Sequence, residues 1–446
     1  MRMKFNKSGQ LLLVSAASLL VAGLVTACGT LTVDFVFVAS SRAAGTNNYG
    51  EIDVFEVDSE SGHMRPIPTS PFPSGGRNPV SEAVSADNTN LYVVNQDDNT
   101  IVQFIIGNDG KLYPQNTTDT PGIFPLAVAV NGSNLFVVDA YQPLPICSTA
   151  APCSGSIAVY PIQAATSTGS DALGSPVANG ALTYWPLSLP GKPNDVLEPT
   201  AINVPPSGAF LYVAAYDTTA HDSYIFGFWI TPSNSATVPT NATCPAVPTG
   251  STTNPAGTLC PLNGGAPLAG GPFASGACPS AYLSAPYVAG TCPAALASDS
   301  TSGYLYVTDS ANARVHAYSV ASSGLLAEIS GSPFAAGNQP SAIIADTKYP
   351  YLYVANSLDS TVTAYSISSG ALTFLGTYTT GTQPVAIGID PSTNHFLYTV
   401  NYLGNNVSGF ELSSTAGTLL NAQNSPFTAN AQPTAVAAIP HGSGLK

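Results

Sequence analysis

The segment PSAIIADTKYPYLYVANSLDSTVTAYSISSGALTFLGTYTTGTQ, residues 340–383, decides the fold, because close variants of it recur along most of the chain. It contains four short apolar runs, separated by residues 346–350, 356–360 and 368–370. The separating residues are rich in Asp, Asn, Ser, Gly and Pro, which favour tight turns. Short apolar runs between turns predict β-strands, so the segment predicts a four-stranded antiparallel sheet.

The aromatic residue of the second strand marks each copy of this unit. It occurs seven times, in contexts such as LYVVN, LYVAN and LYTVN, at Phe37, Tyr92, Phe136, Tyr212, Tyr306, Tyr353 and Tyr398. Spacings of 44, 45, 47 and 55 residues match the length of one propeller blade. The spacings of 76 and 94 residues require insertions, which we assign to about residues 141–155 and 231–292.

A proline opens the first strand of every unit. These prolines are Pro79, Pro125, Pro199, Pro293, Pro340, Pro384 and Pro433. Pro433 begins a lone first strand near the C-terminus, whereas the unit around Phe37 begins with its second strand. Pairing of these two strands would complete one blade and remove an exposed sheet edge. The sequence therefore predicts an all-β, seven-bladed β-propeller of four-stranded antiparallel blades, closed by its N- and C-terminal strands, as a single domain over residues 28–446.

The repeat also carries a family resemblance. The LYVxN second strand, the proline-initiated first strand and the third strand TVTAY at residues 361–365 resemble YVTN-type repeats. The ring of seven units is similar to the lactonase-fold propellers related to 6-phosphogluconolactonase, and the resemblance covers residues 31–440 apart from the insertions. It implies the propeller fold and raises hydrolysis of a sugar lactone as an activity.

The N-terminus has the pattern of an export signal. Arg2, Lys4 and Lys7 precede an apolar run over residues 11–25, which is followed by small residues, so residues 1–27 are predicted to be a signal peptide. The sequence VTAC that ends at Cys28 resembles the lipobox of bacterial lipoproteins. We therefore expect a lipid anchor on Cys28 at the periplasmic or outer-membrane face of the cell envelope. The alternative is an ordinary cleaved signal with a chance cysteine.

Six further cysteines indicate disulfides in an exported protein. Local pairing predicts 147–153, 244–260 and 278–292 among the 15 possible connectivities, and the residues concerned are Cys147, Cys153, Cys244, Cys260, Cys278 and Cys292. A metal site is disfavoured, because no C-x-x-C pair occurs and no histidine lies among these cysteines.

Composition and missing motifs narrow the possible functions. The net charge is −14 with 11 Lys and Arg, so a phosphate backbone would be repelled and nucleic acid is disfavoured as a partner. The sequence has no G-x-S-x-G, H-E-x-x-H, P-loop or G-x-G-x-x-G motif. We expect a monomer without a cofactor or bound metal.

Functional residues are expected on one face of the ring. In a propeller, the loops that enter the first strands and the loops that join second to third strands surround the same end of the central channel. We call this end the proline face. Its binding candidates are Asn78, Gln339, Gln383, Gln432, Asp139, Asp309, Asn356 and Asn401. Such residues commonly cap turns, and the functional alternative is that their oxygens converge on a cation or on sugar hydroxyls.

Lactone hydrolysis would need a general base near water and a group that stabilises the developing oxyanion. The candidates are Glu198, His221, Arg42 and Arg77. The sequence thus supports two functions: a lipid-anchored envelope propeller that binds a partner protein or glycan, or alternatively a lactonase-like hydrolase of a sugar lactone.

Overall fold

The computed structural model describes residues 31–44, 46–147, 153–163, 172–233, 237–247, 251, 253–271 and 293–444. Within these residues the chain forms seven antiparallel sheets and one turn of 3-10 helix, Asn263–Gly265. Each sheet has four main strands, and the sheets form the seven blades of a propeller. The fold predicted from the repeats is therefore confirmed.

The strands are assigned to blades in chain order. Blade 1 consists of β32 (Pro433–Pro440), β1 (Thr32–Ala44), β2 (Tyr49–Asp58), β3 (Met64–Pro66) and β4 (Phe72–Pro73). Blade 2 consists of β5 (Pro79–Val84), β6 (Asn90–Asn95), β7 (Thr100–Ile106) and β8 (Leu112–Asp119). Blade 3 consists of β9 (Ile123–Val130), β10 (Asn134–Tyr141), β11 (Ser156–Pro161) and β12 (Trp185–Pro186).

The remaining blades follow the same order. Blade 4 consists of β13 (Leu197–Asn203), β14 (Phe210–Asp217), β15 (Asp222–Ile230), β16 (Leu259–Pro261) and β17 (Ala269–Gly271). Blade 5 consists of β18 (Leu296–Ser298), β19 (Tyr304–Asp309), β20 (Arg314–Val320), β21 (Leu326–Glu328) and β22 (Phe334–Ala335). Blade 6 consists of β23 (Pro340–Ala345), β24 (Tyr351–Asn356), β25 (Thr361–Ser368) and β26 (Ala371–Thr379). Blade 7 consists of β27 (Pro384–Ile389), β28 (Phe396–Asn401), β29 (Asn406–Leu412), β30 (Leu419–Asn421) and β31 (Phe427–Thr428).

The second strand of each blade is buried on both of its faces. In β6, Leu91 and Val93 pack into the core shared with blade 1, whereas Tyr92 and Val94 pack into the core shared with blade 3. A strand covered on both faces carries a continuous apolar run rather than an alternating one. This packing explains why the LYVxN motif is apolar at successive positions.

The ring closes through the two ends of the described chain. Strand β1 lies between β32 and β2, and Phe37 is the register partner of Ala437 on one side and of Val54 on the other. The closing blade thus takes its innermost strand from the C-terminal part of the chain. The edge of β1 that faces the channel is therefore covered by β32, as the repeat analysis predicted.

Two of the three expected disulfides lie in the described residues. Cys147 is bonded to Cys153, and Cys244 is bonded to Cys260. The expected third pair, residues 278 and 292, lies outside the described residues, as do the signal segment and Cys28. The region 231–292 contributes two strands, β16 and β17, to the outer edge of blade 4. Over the described residues, we find no helix with the length and hydropathy needed to cross a membrane.

Candidate functional site

The seven first strands surround a central channel. Near the proline face this channel contains a cavity of about 270 Å³. Its walls are the three residues that follow each opening proline, at positions 80–82, 126–128, 200–202, 294–296, 341–343, 385–387 and 434–436. Each of the seven repeats thus contributes the same three positions to the wall of this cavity.

The third residue after each proline forms a ring within this cavity. Six of its seven members are aliphatic, and the seventh is Glu82: the full ring is Glu82, Val128, Ile202, Leu296, Ile343, Ile387 and Val436. Both carboxylate oxygens of Glu82 are shielded from solvent, and the backbone amide of Ala437 is the hydrogen-bond donor that stabilises the charged form of this carboxyl. Burial raises the pKa of Glu82 to about 8, against a smaller opposite effect of the Ala437 backbone amide. Glu82 is therefore mostly protonated at neutral pH.

Sequence reasoning missed Glu82, although the signal was present. The opening prolines align the seven first strands, and that alignment places a carboxylate where the six other copies have Val, Ile or Leu. The binding candidates predicted from the sequence lie before the opening prolines or at the ends of second strands, and none lies within a first strand. Aligning the seven copies of the repeat therefore identifies Glu82 as the one charged residue at this position.

The residues before the prolines have a shared backbone geometry. Five of them adopt the left-handed conformation, with φ between 52° and 60°: Asn78, Phe124, Gln339, Gln383 and Gln432. For three of them, a side chain from the preceding blade accepts the backbone N–H: Asn99 for Phe124 (2.7 Å), Ser360 for Gln383 (3.3 Å) and Asn405 for Gln432 (2.9 Å). These bonds show that both sets of loops meet at the proline face. They also tie blade 2 to blade 3, blade 6 to blade 7 and blade 7 to blade 1.

The amide side chains at this face differ in their partners. Asn78 donates through Nδ2 to Gln96 Oε1 at 3.0 Å, whereas its own Oδ1 has no hydrogen-bond partner in the described structure. The Oε1 atom of Gln339 is likewise buried without a partner among the described residues. These two oxygens are acceptors that a ligand donor could satisfy.

The four candidates at the ends of second strands are buried inside the blades. Asp139, Asp309, Asn356 and Asn401 are at most 2% exposed. A glycine three residues before an opening proline lies against three of them: Gly122 against Asp139, Gly337 against Asn356 and Gly381 against Asn401. Burial raises the pKa of Asp139 to about 7. A ligand at the face would not reach these side chains without a rearrangement of the loops.

Glu198 and His221 lie in the same blade and are linked through Tyr216. Glu198 is the register partner of Tyr216 across β13 and β14, so the two side chains leave the sheet on the same face. The hydroxyl of Tyr216 lies 2.8 Å from Nδ1 of His221. Burial raises the pKa of Glu198 to about 7. Tyr141, from blade 3, lies close to Glu198, and the charge of Glu198 adds to the effect of burial in raising the pKa of Tyr141.

The two arginine candidates do not complete this group. Arg77 is half-exposed and binds its own blade: Nε donates to Asp98 Oδ1 at 2.7 Å and a terminal nitrogen donates to the Asp97 carbonyl at 3.2 Å. Arg42 lies in β1, and its side chain is outside the described part of the structure. Across the described ranges, no group of three or more His, Cys, Asp or Glu side chains could hold a metal ion.

Comparison with known proteins identifies the family. The model of the lactonase family of seven-bladed β-propellers matches residues 35–173 and 281–437, which together exceed half of the chain. This protein belongs to that family. No curated protein sequence matches the chain.

Solved structures of bacterial proteins share the fold of this lactonase-family propeller. A proposed 6-phosphogluconolactonase from Bacteroides fragilis is 20% identical, with a TM-score of 0.61 over 92% of this chain and 98% of that one. A similar protein from Bacteroides uniformis is 18% identical, with a TM-score of 0.62 over 92% of this chain and 100% of that one. The periplasmic gluconolactonase of Pseudomonas aeruginosa is 16% identical, with a TM-score of 0.59 over 92% and 99% of the two chains. At these identities the likeness establishes the fold.

Proposed function

We propose that this protein is an exported hydrolase of an uncharged sugar lactone, with Glu198 as its general base. The observation that carries the proposal is the position of Glu198, which is buried beside Tyr141 at the proline face of a lactonase-family propeller, where burial raises its pKa to about 7. A carboxyl group with a pKa near the working pH can take a proton from water and return it later in the reaction. The similarity to a periplasmic gluconolactonase supports the choice of substrate class.

The proposed reaction uses two side chains. Glu198 accepts a proton from a water molecule as the water oxygen attacks the lactone carbonyl. Burial, and then the charge of Glu198, raise the pKa of Tyr141, so its hydroxyl stays protonated. Tyr141 is 1% exposed, so its hydroxyl could donate to the developing oxyanion only after the loops of the proline face move to admit the substrate. Collapse of the tetrahedral intermediate breaks the ring C–O bond, and Glu198 returns the proton to the departing alkoxide. The product is the open hydroxy acid.

The charges at this face favour an uncharged substrate over a phosphorylated one. A phosphate group is usually held by Arg or Lys side chains. Arg77 is already bound to Asp98, and the chain as a whole carries a net charge of −14. The acidic Asp97 and Glu198 would repel a phosphorylated lactone further.

An assay with matched variants tests the proposal. The purified protein is incubated with δ-lactones of unphosphorylated and phosphorylated sugars, and ring opening is followed by proton release. We expect turnover of the unphosphorylated lactones and a loss of at least 100-fold in kcat for Glu198→Gln, on the scale typical of general-base catalysis. Asp109→Asn, which removes one exposed acid with the same change in net charge, is the control. Absence of turnover on every lactone, or full activity of Glu198→Gln, would refute the proposal.

A second candidate function is a lipid-anchored module that binds a protein or glycan partner. Two exposed leucines favour it: Leu358 and Leu403 occupy equivalent second-to-third-strand loops of blades 6 and 7 and are 64% and 60% exposed. Apolar side chains grouped on a loop face are typical of interaction surfaces. Labelling cells with an alkyne fatty acid, beside a Cys28→Ser variant, tests the anchor. Crosslinking in intact cells, lost in a Leu358→Asp, Leu403→Asp variant, would support the partner.

A further inference from the structure

Two buried carboxyl groups meet where the last blade joins the first. Asp34 lies in β1 of blade 1, and Asp390 directly follows β27 of blade 7. Both side chains are fully buried, and they are hydrogen-bonded to each other. Two ionised carboxylates can only accept hydrogen bonds, so this bond requires a proton on one of the two residues.

The donors around each carboxyl decide which residue carries the proton. Asp390 accepts the backbone N–H groups of Ser392, Thr393 and His395 at 2.7, 3.1 and 3.2 Å, and the hydroxyls of Ser392 and Thr393 donate to it as well. Burial acts to raise the pKa of Asp390, but Asp34 and these donors hold it below its usual value. For Asp34, burial and then the bond to Asp390 raise the pKa to about 9. The proton therefore lies on Asp34, which donates to Asp390.

The strands that pack against Asp34 bring hydrocarbon and one hydroxyl. The register partners of Asp34 are Val57 on β2 and Pro440 on β32, and neither ionises. From blade 7, the hydroxyl of Tyr398 is buried close enough to both carboxyls for their charges to add to the effect of burial in raising its pKa, so it stays neutral. Within these strands the shared proton, rather than a cation, limits the pair to one negative charge.

Three further titratable groups lie near this junction, and each has partners of its own. The rings of His395 and His441 each pack against a phenylalanine ring, at centroid distances of 4.9 and 5.1 Å. Asp53, in β2, accepts the backbone N–H of Asn430 at 2.7 Å, and burial raises its pKa to about 6. A pH dependence measured above pH 6.5 therefore avoids most of the titration of Asp53.

We propose that the proton shared by Asp34 and Asp390 acts as a latch between β1 and blade 7, so that opening of the ring at this seam releases the proton and becomes easier as the pH rises. Opening would admit water to Asp34, whose O–H bond then breaks with transfer of the proton to water. The carboxyl titrates near 3.8 when exposed and near 9 when buried, so the closed seam holds one more proton between these values. Acid therefore favours the closed ring within this range.

Hydrogen exchange over β1 and β32 tests the latch, after correction for the pH dependence of intrinsic exchange. Glu82 is bonded to Ala437 on β32, so all measurements use the Glu82→Gln background, which removes that second carboxyl. From pH 6.5 to 8 the opening constant should rise about tenfold per pH unit, the slope for one released proton. With Asp34→Asn added, the slope should vanish, because the amide can donate to Asp390 at any pH.

Strand β24 of blade 6 is the internal control. It should stay protected in both proteins, which confirms that the blades are folded, and it should not follow the change at β1. The inference is overturned by the same slope with and without Asp34→Asn, by no slope in Glu82→Gln alone, or by an equal change at β24, which would mean that the seam opens only when the whole protein unfolds. The latch does not depend on lactone hydrolysis. Asp34→Asn should leave lactone turnover unchanged, so the two proposals fail separately.

Discussion

The hydroxyl of Tyr353 in blade 6 donates to the carbonyl of Gly417 in blade 7 at 3.2 Å. The same bond recurs between other neighbouring blades, from Tyr212 to Gly324 at 2.9 Å and from Tyr306 to Gly370 at 3.3 Å. Each tyrosine is the aromatic residue of an LYV motif, and each glycine has a positive φ in a turn of the next blade. The tyrosine of the motif thus contributes a hydrogen bond across the blade interface, in addition to the packing of its ring in the core.

We expect Tyr353→Phe to lower the free energy of unfolding by about 1 kcal/mol, the usual net value of one buried hydrogen bond. Tyr398→Phe is the matched control, because the hydroxyl of Tyr398 is buried without a hydrogen-bond partner among the described residues. Its removal should be neutral or stabilising. Urea denaturation of both variants measures the difference, and equal destabilisation of the two would contradict the assigned role of the tyrosine hydroxyl.

Glu82→Gln should make the protein more stable at pH 8 and above. The folded-state pKa of about 8 exceeds the ordinary value of 4.5, so the folded protein binds more protons than the unfolded chain between these values. Stability contributed by this group is fully present below pH 4.5 and is lost as the pH rises to 8, with a loss on the order of 4 kcal/mol. Thermal unfolding from pH 4.5 to 9 should show a smaller decline for the variant than for the natural protein.

Gly122→Ala should destabilise the proline face. A Cβ at Gly122 would lie 2.3 Å from the Cβ of Asp139, so the loop before the strand would have to move, at a cost of about 1–3 kcal/mol. Gly388→Ala is the control, because a Cβ there would meet Val436 at an ordinary 3.4 Å. The denaturation midpoints of the two variants measure the difference in stability. An unchanged midpoint for Gly122→Ala would contradict the prediction, because it would show that the loop can move at little cost in free energy.

The proposed hydrolysis has its own pH signature. If Glu198 is the general base, activity requires its ionised form, and kcat/KM should fall tenfold for each pH unit well below its pKa of about 7. Initial rates from pH 5 to 8.5 give this profile. Glu198→Asp should keep a profile of similar form at a lower rate, whereas a flat profile would exclude Glu198 from the role of base.

The repeat pattern predicted the blade number, the order of strands and the closing strand, because each depends on residues that recur. Tyr92, Tyr306 and Tyr353 recur since every blade must bury a strand on both faces and contact its neighbour. The positions of Glu198 and His221 in one blade also followed from counting strands. What the pattern could not give was the side-chain packing around each site.

Two examples show why. Asn356 and Asn401 have the polarity expected of a binding surface, yet their amides are buried, and the hydroxyls of Thr363 and Ser408 accept from them at 2.9 and 3.0 Å. Arg77 is the right residue to stabilise an oxyanion, yet Asp98 holds it in its own blade. Both outcomes depend on the partner side chains: Thr363 and Ser408 lie in the neighbouring third strands, and Asp98 lies in a loop. The identity of these partners varies from one copy of the repeat to the next.

The closure of the ring also has a mechanical consequence. Strands β1 and β32 are antiparallel, and Asp34 is paired with Pro440 on the side of the ring opposite the proline face. A force pulling residues 34 and 440 apart would load their ladder one pair at a time, like the two halves of a zipper, instead of shearing all pairs together. Under tension the ring should therefore unzip from this seam, starting at Asp34 and reaching Ser40, beside the channel mouth, last.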